Sequence, residues 1–289
     1  MTEFSENQVT QTIDWLSYTI PWHMLDRDAF NTLDRQAINV PRLVDVEGEW
    51  TRDIPLHGYE DAWINKRGGM ARVMLSPPGH TMGVHIQLPG QALALMNPLD
   101  TLHTVKAAQA SVTRIDIAVD VRGVGDPEDI YQALLLGLGG TKAQKFTLLT
   151  GTTGKTCYVG SRMSEFYLRV YDKAAQMGIE GHWVRIELEC KGRRAKWVAE
   201  TVRAEGYGVI PSMIKRFVGC PNVGWYVDAL SRVDAPTGRP QPKKMTDTRA
   251  WLLGTVAKTL ARETKENTEF LLEFLRKVQH LRTDGEDQV

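Results

Sequence analysis

Two tyrosines alternate with two cations in the stretch FYLRVYDK, residues 166–173. With the two-residue period of a strand, Tyr167, Arg169, Tyr171 and Lys173 lie on one face. A phenol has a pKa of about 10 and is a weak nucleophile at neutral pH, but neighbouring positive charge favours its ionised form. Arg169 and Lys173 can supply that charge if the strand is straight. The alternative is a packed or solvated strand face with no chemistry.

Carboxylates follow the same period in two further strands, TRIDIAVDV (113–121) and WVRIELECK (183–191). Their polar faces carry Arg114, Asp116, Asp120, Arg185, Glu187, Glu189 and Lys191. If the strands are neighbours, the carboxylates converge, and a divalent cation on oxygen ligands would relieve their repulsion. With a phenol and nearby cations, these are the parts for attack on a phosphodiester.

The alternative for these strands is a solvated sheet face. Its charges would pair across strands, Arg114 with Glu187 or Arg185 with Asp116, and each exposed pair would stabilise the fold little.

Two other motifs are weaker signals of a site. GTTGKT (151–156) resembles a phosphate-binding loop, but Leu149 stands where that pattern needs glycine and a strand follows where it needs a helix. We therefore predict a hairpin. Some metal sites use two histidines on one strand, spaced His-apolar-His. Here the closest match is His85-Ile86-Gln87, which has glutamine in the second position, and we interpret His85 as a strand residue. A metal at His85 would move the site to the first half and leave Asp116 and Glu187 without a role.

The elements around these motifs form two similar series. Each series runs strand, helix, antiparallel strands, helix, with IDWLSYTI (13–20) and RIDIAVDV (114–121) in equivalent places. The pattern predicts an α+β fold: an antiparallel sheet with helices on one face, two pseudo-repeated halves (about 11–110 and 111–234) and a C-terminal helical extension. We predict one domain over 1–234, a proline-rich linker over 235–247 and a helical segment over 248–289.

The formal net charge of zero hides an uneven distribution. Residues 1–60 contain 11 Asp and Glu against 4 Lys and Arg, whereas residues 141–216 contain 14 Lys and Arg against 7 Asp and Glu. The second region favours a polyanionic partner. The three cysteines lack metal or disulfide spacing, and neither a secretory signal nor a membrane span is evident, so we expect a cytoplasmic protein with no membrane partner.

The ordered motifs resemble the replication initiation factor family, the rolling-circle initiators of some plasmids and filamentous phages with related relaxases of integrative elements. The similarity covers roughly residues 11 to 262 and rests on IDWLSYTI, GVHIQLPGQAL, TRIDIAVD, CYVGSR, LRVYDK, WVRIELECKGRRA and TRAWLLGTVAKTLA. It implies a metal-dependent DNA nickase and strand transferase that uses a tyrosine and Mg²⁺ or Mn²⁺. The phenol would join the 5′ end and free a 3′ hydroxyl primer.

The resemblance also assigns roles to individual residues. It places the nucleophile at Tyr171, with Tyr167 as second choice, and Arg169 and Lys173 beside it. The acidic motif positions, expected at the metal, are Asp116, Asp120, Glu187 and Glu189, and Asp14 is interpreted as structural or auxiliary. For DNA binding we expect Arg114, Arg162, Arg185, Lys191, Arg193, Arg194 and Lys196, with linker cations Arg239, Lys243 and Lys244.

Two other functions stay open at this point. One is a non-catalytic origin-binding or regulatory protein of the same fold, and the other is a metal-dependent nuclease with no covalent intermediate. The expected partner is origin DNA, single-stranded or extruded at the nick site. A second copy of the chain and a host helicase are further candidate partners.

Overall fold

A computed structural model describes residues 9–24, 49–77, 80–141, 143–152 and 154–231, together with six positions between 260 and 276. The chain divides into two compact units, 1–240 and 241–289. The six described positions of the second unit are helical. The predicted linker, 235–247, and most of the predicted C-terminal segment lie outside the described residues, so both stay predictions.

The described part of the first unit contains twelve strands. They are β1 Val9–Ile20, β2 Thr51–Arg52, β3 Asp61–Asn65, β4 Ala71–Leu75, β5 Val84–Pro89, β6 Ser111–Arg122, β7 Gly140–Thr141, β8 Phe146–Gly151, β9 Gly154–Gly160, β10 Phe166–Asp172, β11 Trp183–Lys191 and β12 Val218–Gly219.

The helices are α1 Gly90–Leu93, α2 Pro98–Ala107, α3 Pro127–Leu135, α4 Lys173–Met177, α5 Gly192–Glu205, α6 Ile210–Phe217 and α7 Gly224–Ser231. Short 3₁₀ turns span Trp22–Met24 and Tyr207–Val209. No helix in the described part of the chain is long and apolar enough to cross a membrane.

Ten strands form one sheet in the order β2-β3-β4-β5-β1-β6-β11-β10-β9-β8, and β12 pairs with β7 separately. Every pairing is antiparallel. The order is symmetrical about the pair of central strands, β1 and β6. On one side β1 is followed outward by β5, β4, β3 and β2, and on the other side β6 is followed outward by β11, β10, β9 and β8. This arrangement confirms the predicted antiparallel α+β fold with two repeated halves.

Strand alternation separates an apolar face of the sheet from a polar one. In β6, Ile115, Ile117 and Val119 are completely buried, and α5 and α6 contact the strand. Burying a side chain of this size contributes about 1.5 to 3 kcal/mol. The intervening positions of β6 project from the other face, where Asp116 and Asp120 lie. The apolar face therefore holds the core, and the polar face is left to carry a site.

Helix termini follow local sequence signals. The Asp126 carboxylate caps α3 by accepting from the Glu128 backbone N–H at 2.8 Å, and Pro127 fills the first helical position. At the start of α5, Gly192 has a φ of +56°, a left-handed conformation that favours glycine where β11 turns into the helix.

The helix that the pattern predicts at the end of the second series is α5, Gly192–Glu205. The helical stretch expected after IDWLSYTI is described only as the Trp22–Met24 turn, and its remainder lies outside the described residues. Helices α6 and α7 were not predicted, because Pro211 and the short apolar run after it gave no long helical period.

Candidate functional site

The polar face of four central strands, β1, β6, β11 and β10, brings the predicted site residues together. Arg185 of β11 lies opposite Asp120 of β6 and Tyr171 of β10. Two residues along, Glu187 lies opposite Arg169. The next pairs on this face are Glu189 with Asp116 and with Tyr167. The two acidic strands, β6 and β11, are therefore neighbours, as the convergence of their carboxylates requires.

Tyr171 is in contact with a carboxylate. Its hydroxyl donates to Glu187 Oε2 at 3.0 Å, and the tyrosine is only 7% exposed. Burial raises the pKa of the Tyr171 phenol, and the charge of Glu187 raises it further, whereas Arg185 acts in the opposite direction. At neutral pH the phenol is therefore protonated and hydrogen-bonded to its only described acceptor, a group that can take its proton.

Asp116 is the centre of a buried ionic cluster. Arg114 donates to both of its oxygens, from Nε at 2.9 Å and from Nη2 at 2.5 Å, and also lies 2.9 Å from Glu189. Arg169 joins Asp116, at 3.5 Å, to Glu187. Burial, and then the charges of Glu187 and Glu189, raise the pKa of Asp116 to about 7 against the lowering effect of Arg114.

Arg185 forms a second ionic group on the same face. It donates to both oxygens of Asp120, from Nε at 2.7 Å and from Nη2 at 2.8 Å, and also to Asp14. Trp183 donates to Asp120 at 2.7 Å. Sequence reasoning missed Trp183, although the alternation of β11 places it on the face of Arg185.

A bulge in β1 explains how Asp14 reaches this group. The pairing of β1 with β6 shifts between Ile13 and Trp15, so the consecutive residues Asp14 and Trp15 both lie on the polar face. The start of α1 also closes on Asp14, since a Cβ at Gly90 would stand 2.6 Å from its Oδ1. Asp14 thus packs into the site from the first half of the chain.

The ion pairs differ from those considered for a solvated face. Arg114 pairs with Asp116 and Glu189, not with Glu187, and Arg185 pairs with Asp120, not with Asp116. The carboxylates are also buried: Asp116 and Glu187 are each 1% exposed. A solvated face is therefore the wrong description of these strands.

The arrangement of the carboxylates does not form a metal centre. Among the described residues, no set of three or more His, Cys, Asp or Glu side chains is grouped to hold a metal ion. Oxygen donors of this kind suit Mg²⁺ or Mn²⁺, but here guanidinium groups stand between them. The side chains as arranged fit an arginine-bridged cluster and do not fit a metal.

Lys173 does not continue the strand. Strand β10 ends at Asp172, whose carboxylate caps α4 by accepting from the Ala175 backbone N–H at 2.9 Å. The Lys173 ammonium still lies 5.6 Å from the centroid of the Tyr171 ring. Burial and the charge of Arg185 lower the pKa of Lys173. Lys173 therefore lies beside the phenol because it is the first residue of α4, and not because it continues the alternation of β10.

Tyr167 lies in different surroundings from Tyr171. Its ring stacks on Tyr158 of β9, with centroids 5.6 Å apart and planes at 14°. The Arg162 guanidinium lies 6.0 Å from its centroid. This setting is aromatic and cationic, and it separates the two tyrosines that strand phasing made equivalent.

The remaining predicted cations divide between regions. Lys191 lies 2.5 Å from Glu189, next to the ionic cluster. Arg193 and Arg194 each lie 3.7 Å from Glu165. Lys196 instead lines a groove of about 470 Å³ between α2 and α5, on the helical side of the sheet. Lys196 is thus not brought to the polar face.

The GTTGKT stretch is a hairpin between β8 and β9, as predicted. Lys155 does not face an open loop, because it donates at 2.8 Å to both Asp126 and Glu128 at the start of α3. His85 is a buried residue of β5, bonded to Thr19 at 2.9 Å, and burial together with nearby His57 lowers its pKa to about 4.

Comparison with solved structures defines the class of fold. The rolling circle replication initiator protein of Geobacillus stearothermophilus matches with a TM-score of 0.63 and 19% identity, covering 78% of this chain and 96% of that one. At that identity the likeness shows the fold alone. Methanococcus jannaschii TBP aligns over 68% of this chain and 97% of its own at 11% identity, but its TM-score of 0.25 is too low to indicate a shared fold.

The sequence itself identifies the family. Residues 110–274 match the family model of the replication initiation factors, and the chain belongs to that family. The matched segment begins at β6 and contains all of β10 and β11, so it includes Tyr171 and Glu187. Residues 11–109, which the motif resemblance included, lie outside the match. No curated protein matches the chain in sequence.

Proposed function

We propose that this protein is a rolling-circle replication initiator that nicks and rejoins one DNA strand at its origin through a covalent link to Tyr171. The observation that carries the proposal is the 3.0 Å hydrogen bond from the Tyr171 hydroxyl to Glu187. It pairs the candidate nucleophile with a base, in a family of replication initiators.

The proposed nick is a single displacement at phosphorus. Glu187 takes the phenolic proton, Tyr171 Oη forms a bond to the scissile phosphorus, and the bond from phosphorus to the 3′ oxygen breaks. The 5′ end stays on Tyr171 as a phosphodiester, and the 3′ oxygen takes up a proton to leave as a hydroxyl that primes synthesis. Rejoining is the reverse displacement by a 3′ hydroxyl.

Charge on the phosphoryl oxygens would be stabilised by the cations around the phenol. Arg169 is suited to this, because its Nε is buried with no hydrogen-bond partner among the described residues. Lys173, beside the Tyr171 ring, adds a second positive charge. The catalytic roles of Arg169 and Lys173 stay predictions.

DNA binding on the polar face would add the cations that surround this centre. Lys191 and Arg162 flank the cluster on one side, where the Lys191 ammonium donates to the Arg162 carbonyl at 2.5 Å. Contacts of this kind bind phosphates and weaken with salt. A second copy of the chain and a host helicase stay predicted partners.

The test is a search for a covalent adduct. The full-length protein is incubated with single-stranded DNA from its own element and Mn²⁺, and the product is resolved under denaturing conditions. We expect an adduct that Tyr171→Phe abolishes. Tyr167→Phe is the matched control and should still form it.

The other outcomes identify the alternative functions. Cleavage without an adduct would support a nuclease that forms no covalent intermediate. A shift in DNA mobility with no cleavage would support an origin-binding protein without the chemistry. Loss of the adduct in Tyr167→Phe alone would move the nucleophile to the second choice.

Dependence on Mg²⁺ or Mn²⁺ stays a prediction from the family resemblance. It is tested by repeating the adduct assay in EDTA and then restoring Mn²⁺. Loss and recovery of the adduct would support the metal, and a metal site would then require the guanidinium groups around Asp116 to move. Full activity in EDTA would contradict it.

A further inference from the structure

Tyr158 is an aromatic residue that the proposed chemistry does not use. It lies opposite Arg169, so its side chain projects from the polar face of the sheet. Its ring stacks on Tyr167, and the Arg162 guanidinium lies over Tyr167 at 6.0 Å. We refer to Tyr158, Tyr167 and Arg162 as the aromatic platform.

The two rings of this stack differ in exposure. Tyr167 is only 7% exposed, whereas Tyr158 is partly exposed. The outer face of Tyr158 is therefore the one on which another ring can stack.

We propose that the aromatic platform holds an unpaired base of the substrate strand close to the scissile phosphate. This rests on the proposed function and names the residues that position the strand. Aromatic rings stack on any exposed base, and nearby cations contact its backbone. In a duplex both faces of each base are covered by its neighbours, so the platform would select an unpaired strand.

The platform lies near the nucleophile. Tyr167 and Tyr171 share one face of β10 and are four residues apart, about 13 Å along the strand. A short stretch of unpaired DNA can therefore reach from Tyr158 to Tyr171. Between the two, on the same face, Arg169 lies opposite Tyr158. A base stacked on Tyr158 would fix the position of the strand over that arginine.

The test measures DNA affinity without cleavage. In the full-length protein with Tyr171→Phe, binding of a fluorescein-labelled oligo(dT) of about 20 nucleotides is followed by anisotropy. Adding Tyr158→Ala should weaken this affinity about tenfold. Tyr158→Phe, which keeps the ring, should retain it. Affinity for a duplex of the same length should change little in either variant.

Tyr131→Ala is the matched control. Tyr131 also belongs to an aromatic pair, with its ring 5.7 Å from that of Phe146, but this pair lies on the helical side of the sheet. It should leave oligo(dT) affinity unchanged. Equal losses in the two alanine variants, or an equal loss on duplex, would overturn the platform.

The same experiment separates the two proposals. Unchanged oligo(dT) affinity in Tyr158→Ala overturns the platform, while an adduct on Tyr171 in the otherwise unaltered protein would still support nicking. Absence of any DNA binding by the unaltered protein overturns both.

Discussion

The two halves of the sheet hold equivalent strands in the same register but with different side chains. In the first half, Arg72 of β4 lies opposite Gln87 of β5. In the second, Arg169 of β10 lies opposite Glu187 of β11. The arginine is common to both halves. The amide of Gln87 cannot take a proton at neutral pH, whereas the carboxylate of Glu187 can.

Two residues further along, the contrast is larger. Met74 lies opposite His85 in the first half, and Tyr171 lies opposite Arg185 in the second. Met74 has no hydroxyl with which to attack phosphorus. With a pKa of about 4, His85 is uncharged at neutral pH. The first half therefore lacks counterparts of the proposed nucleophile, of its proposed base and of one of the cations.

The first half is also covered on this face. Asp53 pairs with Arg72 at 2.5 Å, and the Tyr59 ring stacks on His85 at 5.7 Å. Met74 is completely buried. A repeated scaffold has thus become a packed surface on one side and a candidate reaction centre on the other, through a few side chains and one covering segment.

The largest effect expected from this comparison follows Glu187→Gln, which gives the second half the amide of the first. It removes the proton acceptor of Tyr171 and should slow adduct formation roughly 10²- to 10⁴-fold. The rate is measured by time-resolved denaturing electrophoresis. The reciprocal Gln87→Glu should leave the rate unchanged. A wild-type rate of adduct formation in Glu187→Gln would show that Glu187 is not the proton acceptor of Tyr171.

The next effect is on stability. Arg185→His leaves the buried Asp120 without its guanidinium partner and should lower the free energy of unfolding by about 3 to 5 kcal/mol. Arg72→His removes a partly exposed pair in the first half and should cost about 1 kcal/mol or less. Urea titrations measure both, and equal losses would mean that the two arginines are equally important to the fold.

The smallest effect is a change with pH. The pKa of Asp116 is about 7 in the folded protein against an ordinary 3.8, so the folded state binds the extra proton. Stability is therefore highest at low pH on this account and falls as pH rises from about 4 to about 7, by at most roughly 4 kcal/mol.

Asp116→Asn removes this titration and should flatten the fall in unfolding free energy between about pH 4 and pH 7. Asp53→Asn, in the partly exposed pair of the first half, should keep the wild-type slope. Urea unfolding at several pH values measures both, and a slope in Asp116→Asn as steep as in the wild type would contradict the assignment.

Much of the second half could be predicted from the sequence, because its strands alternate strictly. The period alone put Asp116, Glu187 and Tyr171 on the polar faces of their own strands, and the pairing of the strands joins those faces into one. The ion-pair partners could not be predicted in the same way. Arg114 bonds Asp116 two residues along its own strand, and alternation gives the face of a side chain but not its rotamer or the strand register.

The first half contributed a residue that no pattern could place. Strict alternation puts Asp14 and Trp15 on opposite faces, and only the bulge between Ile13 and Trp15 brings both to the polar face. Tyr158 was likewise missed, since its stacking on Tyr167 becomes visible only once the two strands are known to pair.

The bond from Arg185 to Asp14 crosses the seam between the two repeats. A fragment that began at residue 110, where the family match begins, would keep Tyr171 and Glu187 but would lose Asp14 and expose the edge of β6. Such a fragment would carry an incomplete candidate site next to an unpaired strand edge. The first half of the chain thus contributes to the site in the second half. A protein that lacked it would need another acidic partner for Arg185 and another strand beside β6.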